Sequence, residues 1–149
     1  MIENEGLYRM LMRTAATARR IPTADALSVG ERLPRGGGYG HILELLSVEE
    51  GLCQQKVAAL AGIRPQSVSE AIGVMEARGL VRRECGVEDR RTLLVYLTEE
   101  GEAYRQRAAR ERGLKAERLF RELSEEEKGL LYQLLKKIQE TNDGREIDE

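Results

Sequence analysis

The run Cys53-Gln54-Gln55-Lys56-Val57-Ala58-Ala59-Leu60-Ala61-Gly62-Ile63-Arg64-Pro65-Gln66-Ser67-Val68-Ser69-Glu70-Ala71-Ile72-Gly73-Val74-Met75-Glu76-Ala77-Arg78-Gly79 decides the fold of this 149-residue chain. It predicts one helix over 54–61, closed by Gly62, and a second that opens at Pro65 and stops at Gly79. Proline suits a first helical position, where its missing N–H has no intrahelical partner to lose. Two extended runs follow, Leu80 to Cys85 and Thr92 to Leu97, joined by Gly86-Val87-Glu88-Asp89-Arg90-Arg91. Helix, turn, helix and hairpin in that order predict a winged helix-turn-helix, whose second helix usually lies in the major groove of DNA.

Four segments carry a resemblance. Ala61-Gly62-Ile63, Glu76-Ala77-Arg78-Gly79-Leu80-Val81, Asp89-Arg90-Arg91 and Leu97-Thr98-Glu99-Glu100-Gly101 resemble the successive signatures of MarR-type transcriptional regulators. The wing motif followed by the Leu-Thr-Glu-Glu-Gly step is the most specific of them, and the match runs from about Ile42 to Tyr104. The resemblance implies a mainly α fold with a small antiparallel β wing (α+β), flanked by N- and C-terminal dimerisation helices. The expected organisation is a dimerisation helix and connector over 1–38, a DNA-binding lobe over 39–104, and C-terminal dimerisation helices with an acidic tail over 105–149. It further implies a homodimer on double-stranded DNA, repressing by occupying an inverted-repeat operator and relieved by a small-molecule effector. The effector cleft would lie between the dimerisation helices and the DNA-binding lobe, lined, from position alone, by Tyr8, Met12, Tyr39 and His41. By the family pattern Arg91 enters the minor groove and Asp89 holds its guanidinium in a bidentate pair. The chain departs from the family at Glu70 and Val74, where Arg or Lys is frequent.

Composition fits a single helix-rich domain with extensions: 41% of residues are apolar and 34% charged, a balance usual for globular chains. The start Met1-Ile2-Glu3-Asn4-Glu5 has neither the basic region nor the cleavage site of a signal peptide. No apolar run approaches the roughly 20 residues a bilayer span needs, so the expected location is cytoplasmic, with no membrane partner. The net charge of −2 hides an asymmetry. Lys56 to Arg91 holds seven cations and five anions, two net positive, which leaves the rest of the chain four net negative. A basic face on an acidic particle suits a nucleic-acid partner.

Cys53 and Cys85 are far apart and the chain has one histidine, His41, so no zinc spacing exists. Cys53 precedes a helix, where a thiol pKa can fall. Family members that sense oxidants use a cysteine in the N-terminal helix, absent here, and the expectation is two reduced, mostly packed thiols. Arg35-Gly36-Gly37-Gly38 could suggest a phosphate loop, but no Lys-Ser/Thr follows and no strand precedes, so 23–38 reads as a flexible connector. No cofactor or metal is expected. Without a nucleophile–base motif an enzyme is disfavoured, and the competing reading is a winged-helix protein–protein interaction module that binds no DNA.

Flanking helices follow from periodicity. Leu7, Met10, Leu11, Thr14, Ala15 and Ala18 predict a helix from about Glu5 to Arg20, ended by Pro22, and Tyr39 to Leu46 a short one. Thr98 caps a long helix expected to reach Leu123, with an interruption at Gly113. Ser124-Glu125-Glu126-Glu127 is a capping box that opens a last helix with Leu130, Leu131, Leu134, Leu135 and Ile138 on one face. The polar tail from Asn142 is expected to fray.

Within the second helix of the motif, Val68, Ala71, Ile72 and Met75 must face the core. Gln66, Glu70 and Gly73 then point away, with Ser67 and Ser69 on the flanks. Gln pairs with adenine, Glu accepts from cytosine, and Ser serves bases or phosphates. Arg64, just before Pro65, adds positive charge. Arg90 and Arg91 at the hairpin tip suit the negative potential of a narrow minor groove, and of Arg82 and Arg83 at least one should face phosphate.

Overall fold

The computed structural model describes residues 1–23, 26–28 and 30–143. In chain order the elements are α1 (Asn4–Arg20), α2 (Tyr39–Val48), β1 (Leu52–Cys53), α3 (Gln54–Ala61), α4 (Pro65–Ala77), β2 (Val81–Cys85), β3 (Leu93–Leu97), α5 (Glu99–Leu119) and α6 (Glu125–Asp143). The chain divides into two compact units, Ala24–Glu111 and Met1–Thr23 with Arg112–Glu149.

In the first of these units the core is built as the helical spacing demands. Val68, Ala71, Ile72 and Met75 of α4 are fully buried, against Ile42, Leu43 and Leu46 of α2, Val57 and Ala58 of α3, and Val81 and Val95 of the sheet. Gly62 takes φ +64 at the C-cap of α3, a left-handed conformation that a Cβ would oppose. The chain then re-enters a helix at Pro65, and this is the turn of the helix-turn-helix.

The sheet is antiparallel with order β1-β3-β2. Residues paired across a ladder share a face, and neighbours along a strand alternate. Arg83 pairs with Val95, which is buried, whereas Arg82 pairs with Tyr96 on the opposite face. β1 has no counterpart in the sequence reading; two residues carry no period, and the strand exists because the edge of β3 is there to pair with.

A tight joint locks the wing to α5. The Thr98 hydroxyl donates to the Gly79 carbonyl at 2.6 Å and accepts the Gly101 N–H at 3.0 Å, while the Thr98 N–H donates to the Leu80 carbonyl at 3.1 Å. Thr98 therefore caps α5 and ties it to the exit of α4.

The connector differs from expectation. Three of its positions (24, 25 and 29) lie outside the described residues, but its middle, over 27–33, is tied down at several points. Glu111, 4% exposed, accepts the Leu27 N–H at 3.2 Å and an Arg32 guanidinium N–H at 2.7 Å. The Tyr104 hydroxyl accepts the Leu33 N–H at 2.9 Å, and Arg78, at the C-cap of α4, donates to the Arg32 carbonyl at 2.8 Å. Glu31 pairs with Arg107 at 2.7 Å. Composition marked this segment as flexible because the partners that clamp it to the fold lie dozens of residues away.

In the second unit, Lys115 donates to the Arg19 carbonyl at 3.2 Å and Arg118 to that of Pro22. The capping box forms as read: the Ser124 N–H donates to Glu127 and the Glu127 N–H to Ser124 Oγ. α5 passes Gly113 without a break and ends at Leu119, short of Leu123. A helical glycine costs only about 1 kcal/mol, too little to interrupt a helix of this length. Among the described residues neither α1 nor α6 contributes a buried side chain, and Leu7, Tyr8, Met10, Leu11 and Met12, with Leu130, Tyr132, Leu134, Leu135 and Ile138, are exposed. The tail beyond 143 lies outside the described residues. Among the described residues no helix is long and apolar enough to cross a membrane.

Candidate nucleic-acid interface

With its apolar stripe committed to the core, α4 turns Gln66, Ser69 and Glu70 to solvent and leaves Ser67 half-buried on the flank. Arg64 is the N-cap residue of α4; its side chain makes no capping bond and is exposed. The helix surface is thus polar and carries two acids, Glu70 and Glu76, but no cation between Pro65 and Ala77.

The wing tip is closed by its own backbone. The Gly86 N–H donates to the Thr92 carbonyl at 2.8 Å, and the Thr92 N–H to that of Asp89 at 3.1 Å. Asp89 serves the turn: its carboxylate accepts the Arg91 backbone N–H at 3.0 Å and lies 3.5 Å from the Thr92 hydroxyl. Among the described residues it forms no ion pair with the Arg91 guanidinium. A carboxylate two residues before an amide reaches that amide more easily than the end of the long side chain beyond it, as in other Asx turns. Arg90 and Arg91 are exposed and have no ion-pair partner among the described residues.

The two strand arginines, adjacent in sequence, have different surroundings. Arg82 pairs with Glu84 at 2.9 Å and stacks over the Tyr96 ring at 4.6 Å, a cation–π contact. Arg83 reaches across to α4, its Nε 3.5 Å from a Glu76 carboxylate oxygen. Strand alternation puts them on opposite faces; what waits on each face, the Tyr96 ring or α4, only the fold decides.

Of the residues offered for an effector cleft, Tyr8 and Met12 are exposed on α1 in one unit, while Tyr39 and His41 lie on α2 in the other. Tyr39 packs on the core, and exposed His41 borders a hollow of about 220 Å³ floored by Leu45, Leu52 and Leu60. Glu44, which also lines the hollow, pairs with Arg105 at 3.2 Å, and Arg105 joins Glu102 at 2.7 Å, tying α5 to α2. Hydrogen bonds from Arg105 and Gln106 lower the Glu102 carboxyl to about 2.

Cys53 pairs with Leu94 and Cys85 with Leu93, so the thiols sit on opposite faces of the sheet. Both are free, and Cys85 is exposed rather than packed. No cluster of three or more metal-binding side chains occurs among the described residues.

Fold and surface together define a winged-helix, DNA-binding transcriptional regulator. The profile of the MarR family matches residues 37–92. The transcriptional regulator HosA of Escherichia coli is 32% identical over 100 residues, 67% of this chain and 74% of that protein. The chain belongs to the MarR family. PcaV of Streptomyces coelicolor, solved with its natural ligand, superposes with a TM-score of 0.68 at 19% identity, over 93% of this chain and 92% of that one. CouR, a transcriptional repressor bound to a 23-mer DNA duplex, gives 0.67 at 24% identity, over 89% and 88%. These two likenesses establish the shared fold.

Proposed function

We propose that this chain is a homodimeric repressor that occupies an inverted-repeat operator through α4 and the wing, and that a small-molecule effector relieves it. The observation that carries the reading is the exposed pair Arg90 and Arg91, without ion-pair partners among the described residues, on a hairpin whose turn Asp89 fixes. Cations held without partners at the end of an ordered hairpin suit an anionic groove. Gln66, Ser67 and Ser69, with Arg64 ahead of them, would contact bases or phosphates from α4, and Glu70 would repel phosphate unless it accepts from a cytosine. CouR, bound to DNA, and PcaV, bound to its natural ligand, support the partner classes. The homodimer is supported by the apolar side chains that α1 and α6 leave uncovered, since exposed apolar patches of this kind mark association surfaces, and two-fold pairing is the commonest oligomer.

The test is to sequence the genomic fragments that the purified protein retains. They should share an inverted repeat with half-sites about 10 base pairs apart. The same fragments should be released more readily by an Arg91→Ala variant, with a salt slope smaller by about 0.9. Retention of no fragment above background would reject the reading in favour of a protein-binding winged helix.

A further inference from the structure

A helix seated in the major groove is flanked by two rows of phosphates, and most protein–DNA hydrogen bonds go to that backbone. α4 brings no cation to meet them. A cation nonetheless lies on it. Arg83 of β2 shares a sheet face with buried Val95, which aims it at α4. Its side chain is 25% exposed and its Nε lies 3.5 Å from Glu76, beyond hydrogen-bonding distance. That Nε is buried with no hydrogen-bond partner among the described residues. One guanidinium Nη lies 3.8 Å from where a Cβ would stand at Gly73. Gln66, Ser69, Gly73 and Glu76 follow helical spacing along one flank of α4, so Arg83 occupies the gap in that stripe which a glycine leaves open.

We propose that Arg83 is part of the recognition surface: β2 lays its guanidinium on the flank of α4, seated over Gly73 and tethered by Glu76, to take one backbone phosphate of the duplex. The inference rests on α4 and the wing being the DNA-binding face, and it separates Arg83 from Arg82, whose guanidinium is engaged by Glu84 and Tyr96 on the other side of the sheet. A guanidinium has five donors in a planar fork. A carboxylate at 3.5 Å orients that fork while leaving donors for a phosphate, which binds it bidentately.

The experiment measures the dissociation constant of the full chain for a retained DNA fragment against salt concentration. The variants are R83A, R83K, G73A, G73L and R83A/G73L, with R90A as a wing control and thermal melts to confirm folding. R83A should weaken binding and reduce the salt slope by about 0.9, while R83K should weaken binding but keep the slope. G73A should match wild type, because its Cβ makes only ordinary contact. G73L should fill the seat and reproduce the R83A loss, and the double variant should be no worse than R83A. An R83A slope equal to wild type, with R90A reduced, would overturn the proposal and leave Arg83 as a strut between strand and helix. If neither variant changes the slope of a wild type that binds, the assignment of α4 and the wing as the DNA-binding face fails with it.

Discussion

Gly101→Ala and Gly113→Ala make the same chemical change in the same helix, and they should shift stability in opposite directions. A Cβ at Gly101 would lie 1.9 Å from the Leu80 carbonyl oxygen and 2.8 Å from a Leu97 methyl carbon. Carbon and oxygen in contact need about 3.3 Å, so the first turn of α5 and the exit of α4 must separate by more than ~1 Å. The Leu80 carbonyl is the acceptor of the Thr98 N–H, whose loss costs about 1 kcal/mol. Disturbing the Thr98 cap costs about 1 more, and overpacking adds about 1–3. Alanine's better helix propensity offsets about 1, leaving a net loss of about 2–4 kcal/mol. At Gly113 nothing lies within 4 Å of the added atom, and only the gain of up to about 1 kcal/mol remains. Urea unfolding at one fixed protein concentration, because association adds to apparent stability, reads both. With an m-value of ~2 kcal/mol/M the Gly101→Ala midpoint should fall by about 1–2 M. A midpoint within roughly 0.3 M of wild type, beyond the error of the method, would refute the close approach as the reason for glycine there.

Truncation after Leu123 removes α6 and its apolar face, and should abolish the dimer or cause aggregation; a well-folded monomer by light scattering would contradict this. Asp89→Ala should weaken operator binding although it deletes a negative charge, because the carboxylate holds the hairpin through the Arg91 N–H; tighter binding in a gel shift would show that it merely repels. Glu111→Ala strands the Leu27 N–H and the Arg32 guanidinium and should cost about 2–3 kcal/mol, with faster proteolysis within 26–38; unchanged cleavage there would refute the clamp. Glu102 and Glu31 are lowered from an ordinary 4.5 to about 2, chiefly by hydrogen bonds from Arg105 and Arg107 respectively. A depressed carboxyl stabilises the fold fully above its unfolded pKa and loses that contribution as pH falls through the folded one. Stability should therefore decline between about pH 4.5 and 2, less steeply in Glu102→Gln; identical acid transitions would exclude the pair.

Local signals made most of this fold legible. Gly62, Pro65 and Gly79 punctuate the helix-turn-helix because a left-handed cap and a first-turn proline are properties of single residues. The Ser124 capping box, the Thr98 cap and the apolar stripe of α4 also depend on partners within one or two helical turns. The polar face of α4 followed by subtraction, since whatever the core takes the solvent face cannot have. The tertiary structure alone decided the rest, where the partner is distant. The connector is clamped by Glu111 and Tyr104 across more than seventy residues, β1 exists only beside β3, and Gly101 must be glycine because Leu80 approaches it. Adjacent Arg82 and Arg83 part by strand alternation, but the fold alone sets the Tyr96 ring against one and α4 against the other. Composition and periodicity describe what a residue's neighbours in sequence permit; a contact made across the fold leaves no period to read.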